Sequence, residues 1–586
     1  MQNSIVLKEQ IDHHHELADD MVFHILQFMD SETILRVCMI VSKQWYSKSL
    51  EIPLTLDFSL GKRLDQHLIN SMVSCPNIQN LTYLDMYDND VKHESMLLLT
   101  SSEYLSNLKE LFLDWNDLSA DDVVMIANNK YFSNLTTLNI EENRSNETSI
   151  KAIAQSSYLK NLRTLHMGYS QINLDGVKTL VQSENMRNLT ELHLGDTTLT
   201  ADGVQELVGP TSRIQNLVVL DVHLATLGDE GVAKLVTSDK LKNLTFLDIY
   251  QTEITHKGVK KVTTSPFMKN LTRLDLGDND IGPEGAKLIA TSENMKNMKK
   301  LELDDTSLTT EGIVHLTSSK LMQQLVSLSV DFNSIGSEGL KLISESQYLK
   351  NLTKLSIGSN TIKIEGIRAL TASKFLRLRK LDLSENNVDD QGTKLIVGSE
   401  NMKNLTKLYL NTNDIKPEGA KYIANSPYMQ NLKLLSLENN EIADEGATCI
   451  ANSSFLTHLT DLDLSSNSIR DNGFQEIAKS ETLKHLTALN LGYNDHSDEG
   501  LKAIAFSECL TNVLDLSIES SLSEKSQFKE NNIALSETPL RKLRRSLLLL
   551  DPIETDLKKA VPTSFLWWYV APLSILIAVL SMGFFH

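Results

Sequence analysis

The sequence is poor in the residues that several kinds of functional site require. Its 586 residues include four cysteines, Cys38, Cys75, Cys449 and Cys509, which form no Cys-x-x-Cys pair. That spacing excludes a cysteine-built zinc module and is typical of free thiols in a reducing compartment. Lysine and arginine number 56 against 76 aspartates and glutamates, a formal net charge of −20. This balance argues against nucleic-acid binding, which needs a basic surface, and is compatible with a basic protein partner.

Signatures of catalysis are also missing from the sequence. It contains no nucleophile motif, phosphate-binding loop or metalloprotease signature. We therefore expect a chain that is not an enzyme and that uses no cofactor. Residues 1–16 lack the apolar run of a secretory signal, and we interpret them, with the triplet His13-His14-His15, as a polar solvated leader.

The sequence does contain a repeat of about 27 residues. Its fullest copy, from Leu271, reads Leu-Thr-Arg-Leu-Asp-Leu-Gly-Asp-Asn-Asp-Ile-Gly-Pro-Glu-Gly-Ala-Lys-Leu-Ile-Ala. The L-x-L alternation predicts a short strand with one apolar side, and the Gly-Ala-Lys-x-Ile-Ala segment predicts a helix. An Asn, Ser or Thr three residues after the strand predicts hydrogen bonds to the backbone at the turn. Seventeen copies begin at Leu81, Leu108, Leu135, Leu162, Leu189, Leu217, Leu244, Leu271, Met298, Leu325, Leu352, Leu378, Leu405, Leu432, Leu459, Leu486 and Val513.

This frame resembles the leucine-rich-repeat family, and its Gly-Ala segment resembles the GALA subclass. The resemblance implies an α/β horseshoe solenoid, with a parallel sheet on the concave side and helices on the convex side. At about 4.8 Å per strand, seventeen strands give an inner arc of roughly 80 Å. An arc of that size suits binding a protein rather than enclosing a metabolite.

Residues 17–50 carry a second pattern. Apolar residues recur at helical spacing after Leu17, and Ile34-Leu35-Arg36 precedes Val41-Ser-Lys-x-Trp45. This order resembles the F-box, with Ala18 in place of the usual proline, and implies binding to a Skp-type adaptor of a cullin ubiquitin ligase. A helical cap for the repeat array is the alternative interpretation, because solenoids need one. The implied adaptor contacts, some of which must also hold the helices together, are Leu17, Met21, Ile25, Leu26, Ile34 and Leu35.

The side chains between the strand leucines point into the concavity. In the first ten copies these positions combine carboxylates with exposed aromatics, which are typical binding anchors. We therefore predict that this face binds a basic segment of a protein partner. His166, His193 and His223 fall on adjacent strands, but surface histidines need no metal to explain them, so no metal site is predicted. The predicted contacts are Asp85, Tyr87, Phe112, Trp115, Tyr169, Asp248, Tyr250, Asp275, Asp304 and Phe332.

The C-terminal region departs from the repeat. Residues 564–585 carry no charged side chain, and 22 residues at about 1.5 Å each cross a hydrocarbon core of about 30 Å. A segment at this place in the chain resembles a tail anchor, which implies a cytosolic array, and the endoplasmic reticulum is the favoured membrane. Residues 540–550, within the linker, form a basic amphipathic segment that either lies on a membrane or caps the last repeat.

These patterns together predict a membrane-tethered substrate receptor of an SCF-type ubiquitin ligase. A membrane-anchored scaffold with no ubiquitin role, whose N-terminal helices are only a cap, is one alternative. A bacterial F-box-type effector acting in a eukaryotic host is another. The predicted division is a leader (1–16), an F-box-like domain (17–50), a junction with a first irregular strand (51–80), the array (81–521), a charged linker (522–563) and a transmembrane helix (564–585).

Overall fold

A computed structural model describes residues 19–27, 29, 31, 34–35, 43–59, 64 and 66–518. Leu17 and the segments 522–563 and 564–585 lie outside these residues, and so does the predicted tail anchor. Within the part of the chain that is described, no helix combines the length and the apolar character needed to cross a membrane.

The concave layer is one parallel sheet of eighteen strands, in which each strand pairs with the next along the chain. Seventeen of the strands are the L-x-L segments of the repeat, as predicted. The strands are β1 Leu54–Asp57, β2 Leu81–Asp85, β3 Glu110–Phe112, β4 Thr137–Asn139, β5 Thr164–His166, β6 Glu191–His193, β7 Val219–Asp221, β8 Phe246–Asp248, β9 Arg273–Asp275, β10 Lys300–Glu302, β11 Ser327–Ser329, β12 Lys354–Ser356, β13 Lys380–Asp382, β14 Lys407–Tyr409, β15 Leu434–Ser436, β16 Asp461–Asp463, β17 Ala488–Asn490 and β18 Asp515–Ser517.

The second layer consists of α-helices, one following most strands. Packed helices need about 8–10 Å each, whereas strands need about 4.8 Å, so the helices take the outer side of the curve. The helices are α1 Asp19–Leu26, α2 Lys43–Ser49, α3 Gln66–Val73, α4 His93–Ser101, α5 Ala120–Ala127, α6 Glu147–Gln155, α7 Leu174–Gln182, α8 Ala201–Val208, α9 Gly228–Val236, α10 His256–Thr264, α11 Gly282–Thr291, α12 Thr309–Ser318, α13 Gly336–Glu345, α14 Ile364–Thr371, α15 Asp390–Val397, α16 Pro417–Ala424, α17 Ala443–Ala451, α18 Asp471–Ala478 and α19 Asp498–Ala505.

Short 3-10 turns lead from several helices back to the next strand. They occupy Pro76–Ile78, Glu103–Leu105, Lys130–Phe132, Glu184–Met186, Asp239–Leu241, Glu293–Met295, Lys320–Gln324, Gln347–Leu349, Glu400–Met402 and Pro427–Met429.

The core lies between the two layers and is filled by the repeat's own apolar positions. In the copy that begins at Leu271, Leu274, Leu276, Ile281 and Ile289 are all buried. One copy has no second apolar surface of its own, so burial requires neighbours on both sides, and the array is stable only as a stack.

A glycine in the first turn of most outer helices marks a close contact. A Cβ on Gly446 would lie 2.2 Å from Cγ2 of Ile442, and one on Gly285 would lie 2.7 Å from Cβ of Ile281. Both positions therefore require glycine for space.

An asparagine ladder closes the turns after the strands. The Asn360 Nδ2 group donates to the carbonyl oxygens of Val330 and Gly358, both at 2.8 Å. Its Oδ1 accepts from the amides of Asn333 and Ile335, both at 3.1 Å. Each such residue therefore joins its own turn to the preceding copy, which confirms the role predicted for this column.

The helices α1 and α2 belong to the same core as the array. Leu26, Ile34 and Trp45 are buried in one continuous cluster with Leu54 of β1. The hydroxyl of Ser31 also accepts a hydrogen bond from the Thr55 amide at 2.8 Å. The N-terminal helices therefore cover the first end of the solenoid.

The first irregular strand is confirmed. β1 pairs in parallel with β2, but the register shifts between Leu54 and Thr55. The sequence predicted an irregular strand in this junction but not its register.

A candidate protein-binding face

The strand ends place an acidic group of four residues on the concave face, namely Asp248, Asp275, Asp304 and Asp331. Asp248 and Asp275 are paired across β8 and β9. Burial raises the pKa of both carboxyl groups. The charge of Asp221 raises the pKa of Asp248 further, and the charge of Asp248 raises that of Asp275. Burial, with the neighbouring Asp304, raises the pKa of Asp331 to about 7. The free face therefore holds carboxyl groups that are costly to ionise at neutral pH.

Two cations among the described residues lie near the acidic group and pair with Glu302 rather than with its members. Arg273 and Lys300 both reach Glu302, with nitrogen to carboxylate distances of 3.3 and 2.6 Å. Asp331 instead accepts hydrogen bonds from the Gly358 amide at 2.6 Å and the Ser356 hydroxyl at 2.8 Å. Among the described residues, the four members of the acidic group form no ion pair with lysine or arginine. A cation from a partner would supply the missing counter-charge.

Three predicted contacts lie where the backbone turns back after the strand. Trp115, Tyr169 and Phe332 have φ of 53°, 53° and 58°, in the left-handed region. Their side chains are 54%, 40% and 56% exposed. Bulky side chains rarely adopt this conformation, where Gly, Asn and Asp are favoured. The backbone conformation therefore disfavours an aromatic residue at these positions, which favours a role for the side chains in binding.

Further aromatic side chains surround Trp115. The Tyr87 ring lies 6.5 Å from the Trp115 ring, and Phe112 lies 5.3 Å from Tyr83, measured between centroids. The Tyr83 hydroxyl donates to Asp85 at 3.0 Å, and the Tyr87 amide donates to the same carboxylate at 2.9 Å. Phe112, Tyr87 and Asp85 are thus brought together with Trp115, as the sequence predicted for one face.

Tyr250 lies across a glycine of the next copy. A Cβ on Gly277 would come within 2.8 Å of Tyr250 Cδ2. The Tyr250 amide donates to Asp248 at 3.1 Å, so one acidic residue fixes the backbone of this aromatic residue. Because Gly277 leaves room, the Tyr250 ring stays beside the acidic group.

The predicted adaptor contacts separate by burial. Leu26 and Ile34 are 0% and 1% exposed, so they lie in the core and offer no surface to an adaptor. Met21 is 48% exposed, and Ile25 and Leu35 are partly buried. Met21, Ile25 and Leu35 therefore remain predicted contacts of the adaptor. Sequence reasoning could not make this division, because helical spacing does not say which apolar side meets the solenoid.

Comparison with protein-family models supports the repeat assignment. A leucine-rich-repeat family model matches residues 185–208, 267–290, 322–344, 378–397, 401–424, 428–451, 455–478 and 482–505. Among solved structures, an internalin (inlF) from Listeria monocytogenes is similar at 18% identity, over 68% of this chain and 93% of that chain, with a TM-score of 0.31. No curated protein sequence matches the chain.

Proposed function

We propose that this leucine-rich-repeat protein binds a basic segment of a protein partner on the concave face between β2 and β11. The observations that carry the proposal are the exposed aromatics at positive-φ positions along this face and, near Tyr250 and Phe332, carboxyl groups that form no ion pair with lysine or arginine among the described residues. Aromatic anchors supply apolar contact area, and a lysine- or arginine-rich segment stabilises the ionised carboxylates.

The proposal is tested with a fluorescent peptide of alternating Lys, Arg and Ser and the full-length chain. Binding is followed by anisotropy at low and high salt. The triple variant Trp115→Ala, Tyr169→Ala and Tyr250→Ala is expected to weaken binding at least about 100-fold, since anchor residues commonly contribute 1–2 kcal/mol each or more.

A matched control is Tyr493→Ala. Tyr493 has φ of 54° and occupies the same repeat position, but it lies outside the proposed face. This variant is expected to bind the peptide like the unaltered chain. Equal binding by the triple variant and the unaltered chain would contradict the proposal.

We further propose that the N-terminal helices connect the bound partner to a Skp-type adaptor, which would make the protein a substrate receptor of an SCF-type ubiquitin ligase. The F-box-like sequence and the exposed side chain of Met21 support this proposal. Met21→Glu is expected to abolish capture by purified adaptor without changing the melting temperature. Leu26→Ala is unsuitable as a test, because removing a buried leucine costs about 2–5 kcal/mol of stability. If the unaltered chain does not bind the adaptor, the result would favour the alternative in which the N-terminal helices only cap the repeat array.

Membrane tethering through residues 564–585 is a separate proposal, supported by the uncharged sequence. It is tested by flotation with phosphatidylcholine vesicles. The full-length chain is expected to float, and a chain ending at residue 563 is expected to stay in the dense fraction. Flotation of both, or of neither, would contradict tethering by this segment.

A further inference from the structure

Two histidines are stacked on the concave face, between Trp115 and the acidic group. His166 and His193 are paired on β5 and β6. Their rings are 3.9 Å apart between centroids and only 9° from parallel. The two side chains are 20% and 15% exposed, so both rings are largely shielded from water.

A carboxylate from a third strand joins this pair. Glu141, just after β4, lies 3.6 Å from Nδ1 of His166, measured from Oε1. A Cβ on Gly168 would lie 3.1 Å from that same oxygen. Because Gly168 in the neighbouring copy has no side chain, the Glu141 carboxylate can occupy this space.

Asp221 fixes the second histidine from the opposite side. Its carboxylate lies 3.1 Å from Nδ1 of His193 and 2.7 Å from Nδ1 of His223. A carboxylate only accepts hydrogen bonds, so Nδ1 of His193 is the donor, and Nε2 is the nitrogen that can ligate a metal. The His223 ring occupies the space that a Cβ on Gly195 would fill, 1.9 Å from that position.

From this arrangement we infer that Glu141, His166 and His193 form a binding site for Zn²⁺, with Asp221 orienting His193. The donor atoms of the three residues lie within 4.8 Å of one another. Two imidazoles and one carboxylate are a donor set that zinc prefers, and zinc-bound histidines commonly donate their other ring nitrogen to a carboxylate.

The geometry requires only a small closure around the ion. Zinc–ligand bonds of about 2.0–2.1 Å in a tetrahedral site place ligand atoms about 3.4 Å apart. From the present separation of up to 4.8 Å, the ligand atoms have to approach one another by about 1.4 Å, and the two parallel rings have to turn so that their in-plane lone pairs converge on the ion. Three protein ligands leave a fourth position for water or for a side chain of a bound protein. The site itself does not depend on the proposed function of the face.

The competing account is a hydrogen-bonded polar cluster that needs no metal. In that account Glu141 and Asp221 satisfy the imidazoles, and added zinc finds no ordered site. The zinc site predicts one zinc per chain, bound through Glu141, His166 and His193. The polar cluster predicts no ordered zinc, so a measurement of zinc binding separates the two accounts.

The experiment uses the untagged full-length chain with His13→Ser, His14→Ser and His15→Ser, because that triplet is a second source of imidazole ligands. Zinc chloride is titrated in competition with a chromogenic chelator, and Co²⁺ is added separately to record its visible absorption. The tested variants are Glu141→Gln, His166→Gln and His193→Gln. The control is His256→Gln, which changes an exposed histidine on the outer helix α10. Melting curves without metal confirm that each variant is folded.

The inference predicts one zinc per chain and a tetrahedral Co²⁺ spectrum, both retained by His256→Gln. Each ligand variant is expected to weaken zinc binding by about 100-fold or more, and Asp221→Asn by about 10- to 100-fold. Zinc is also expected to raise the melting temperature of the chain but not that of the ligand variants. Binding below one equivalent, or binding unchanged by both His166→Gln and His193→Gln, would overturn the inference.

Discussion

Asp331 lies next to Asp304, whose Oδ1 accepts a hydrogen bond from the Asp331 amide at 2.8 Å. This contact keeps two carboxyl groups close together on a buried part of the concave face. Burial first, and Asp304 second, raise the pKa of Asp331 to about 7. The charge of the proposed binding face therefore changes within the physiological pH range.

Binding of a basic peptide is expected to strengthen as pH rises. Asp331 is mostly protonated at pH 6 and mostly ionised at pH 8.5, while lysine and arginine stay charged throughout. Peptide affinity measured by anisotropy should rise by about three- to tenfold across this range, equivalent to about 1 kcal/mol.

Asp331→Asn is the control for this effect and should reduce the rise in affinity, while the pKa of Asp275, raised to about 8 by burial and by the charge of Asp248, leaves a second contribution in the same range. A profile that is already flat in the unaltered chain would show that the acidic group does not contact the peptide.

Stability is expected to change in the opposite direction. The folded pKa of Asp331 exceeds its unfolded value of about 3.9, so the folded state retains a proton that the unfolded state releases. This contribution is present at low pH and is lost as pH rises from about 4 through about 7. At pH 8.5, Asp331→Asn should therefore raise the free energy of unfolding by on the order of 1 kcal/mol. At pH 4, denaturant melts of the two chains should coincide. A lower stability of the variant at pH 8.5 would contradict the assigned shift.

The aromatic residues at left-handed positions should cost stability. Phe332→Asn replaces a 56% exposed side chain with one that favours φ near 58°. The free energy of unfolding should rise by up to about 1 kcal/mol, while peptide affinity falls. Val326→Asn, at an exposed position without positive φ, should bring no gain in stability. A clear loss of stability in Phe332→Asn would mean that the ring is held by the fold.

The asparagine ladder should contribute more to stability than the exposed asparagines that directly precede the first leucine of a copy. Asn360→Ala removes four hydrogen bonds in the core and should lower stability by about 2–4 kcal/mol. Asn351→Ala removes one exposed bond, from Nδ2 to the Gln323 carbonyl at 2.8 Å, and should cost under about 1 kcal/mol. Chemical denaturation measures both changes. Equal effects would show that the ladder is not a main source of stacking energy.

The sequence predicted the solenoid because its signals are local and repeated. The leucines at Leu271, Leu274 and Leu276 determine the strand and its buried side within six residues. The glycine and the Ala-x-x-Ile-Ala pattern place the helix in the same way. Repetition then determines the topology, because each copy can only stack on the next.

The candidate site was less accessible to sequence reasoning. The sequence analysis identified the exposed aromatic residues, but it did not recognise that Trp115 and Phe332 adopt positive φ. The available signal was their repeat position, which Asp, Asn or Ser occupies in other copies. The sequence analysis did not connect Glu141 with His166, because the two residues occupy different positions of the repeat. Gly168 was the available signal, since a residue without a side chain leaves space for Glu141. Burial of Leu26 and Ile34 depends on how the helices dock, which spacing alone does not determine.

Amide hydrogen exchange of the full-length chain, with and without the Lys/Arg/Ser peptide, tests the central claim most directly. Binding between β2 and β11 predicts slower exchange at the strand ends from Asp85 to Phe332, including the Trp115 and Phe332 amides that donate to the next copy. The same comparison predicts no change from Tyr409 to Ser517. Protection confined to the segment from Tyr409 to Ser517, or absent from the whole array under saturating peptide, would contradict the account.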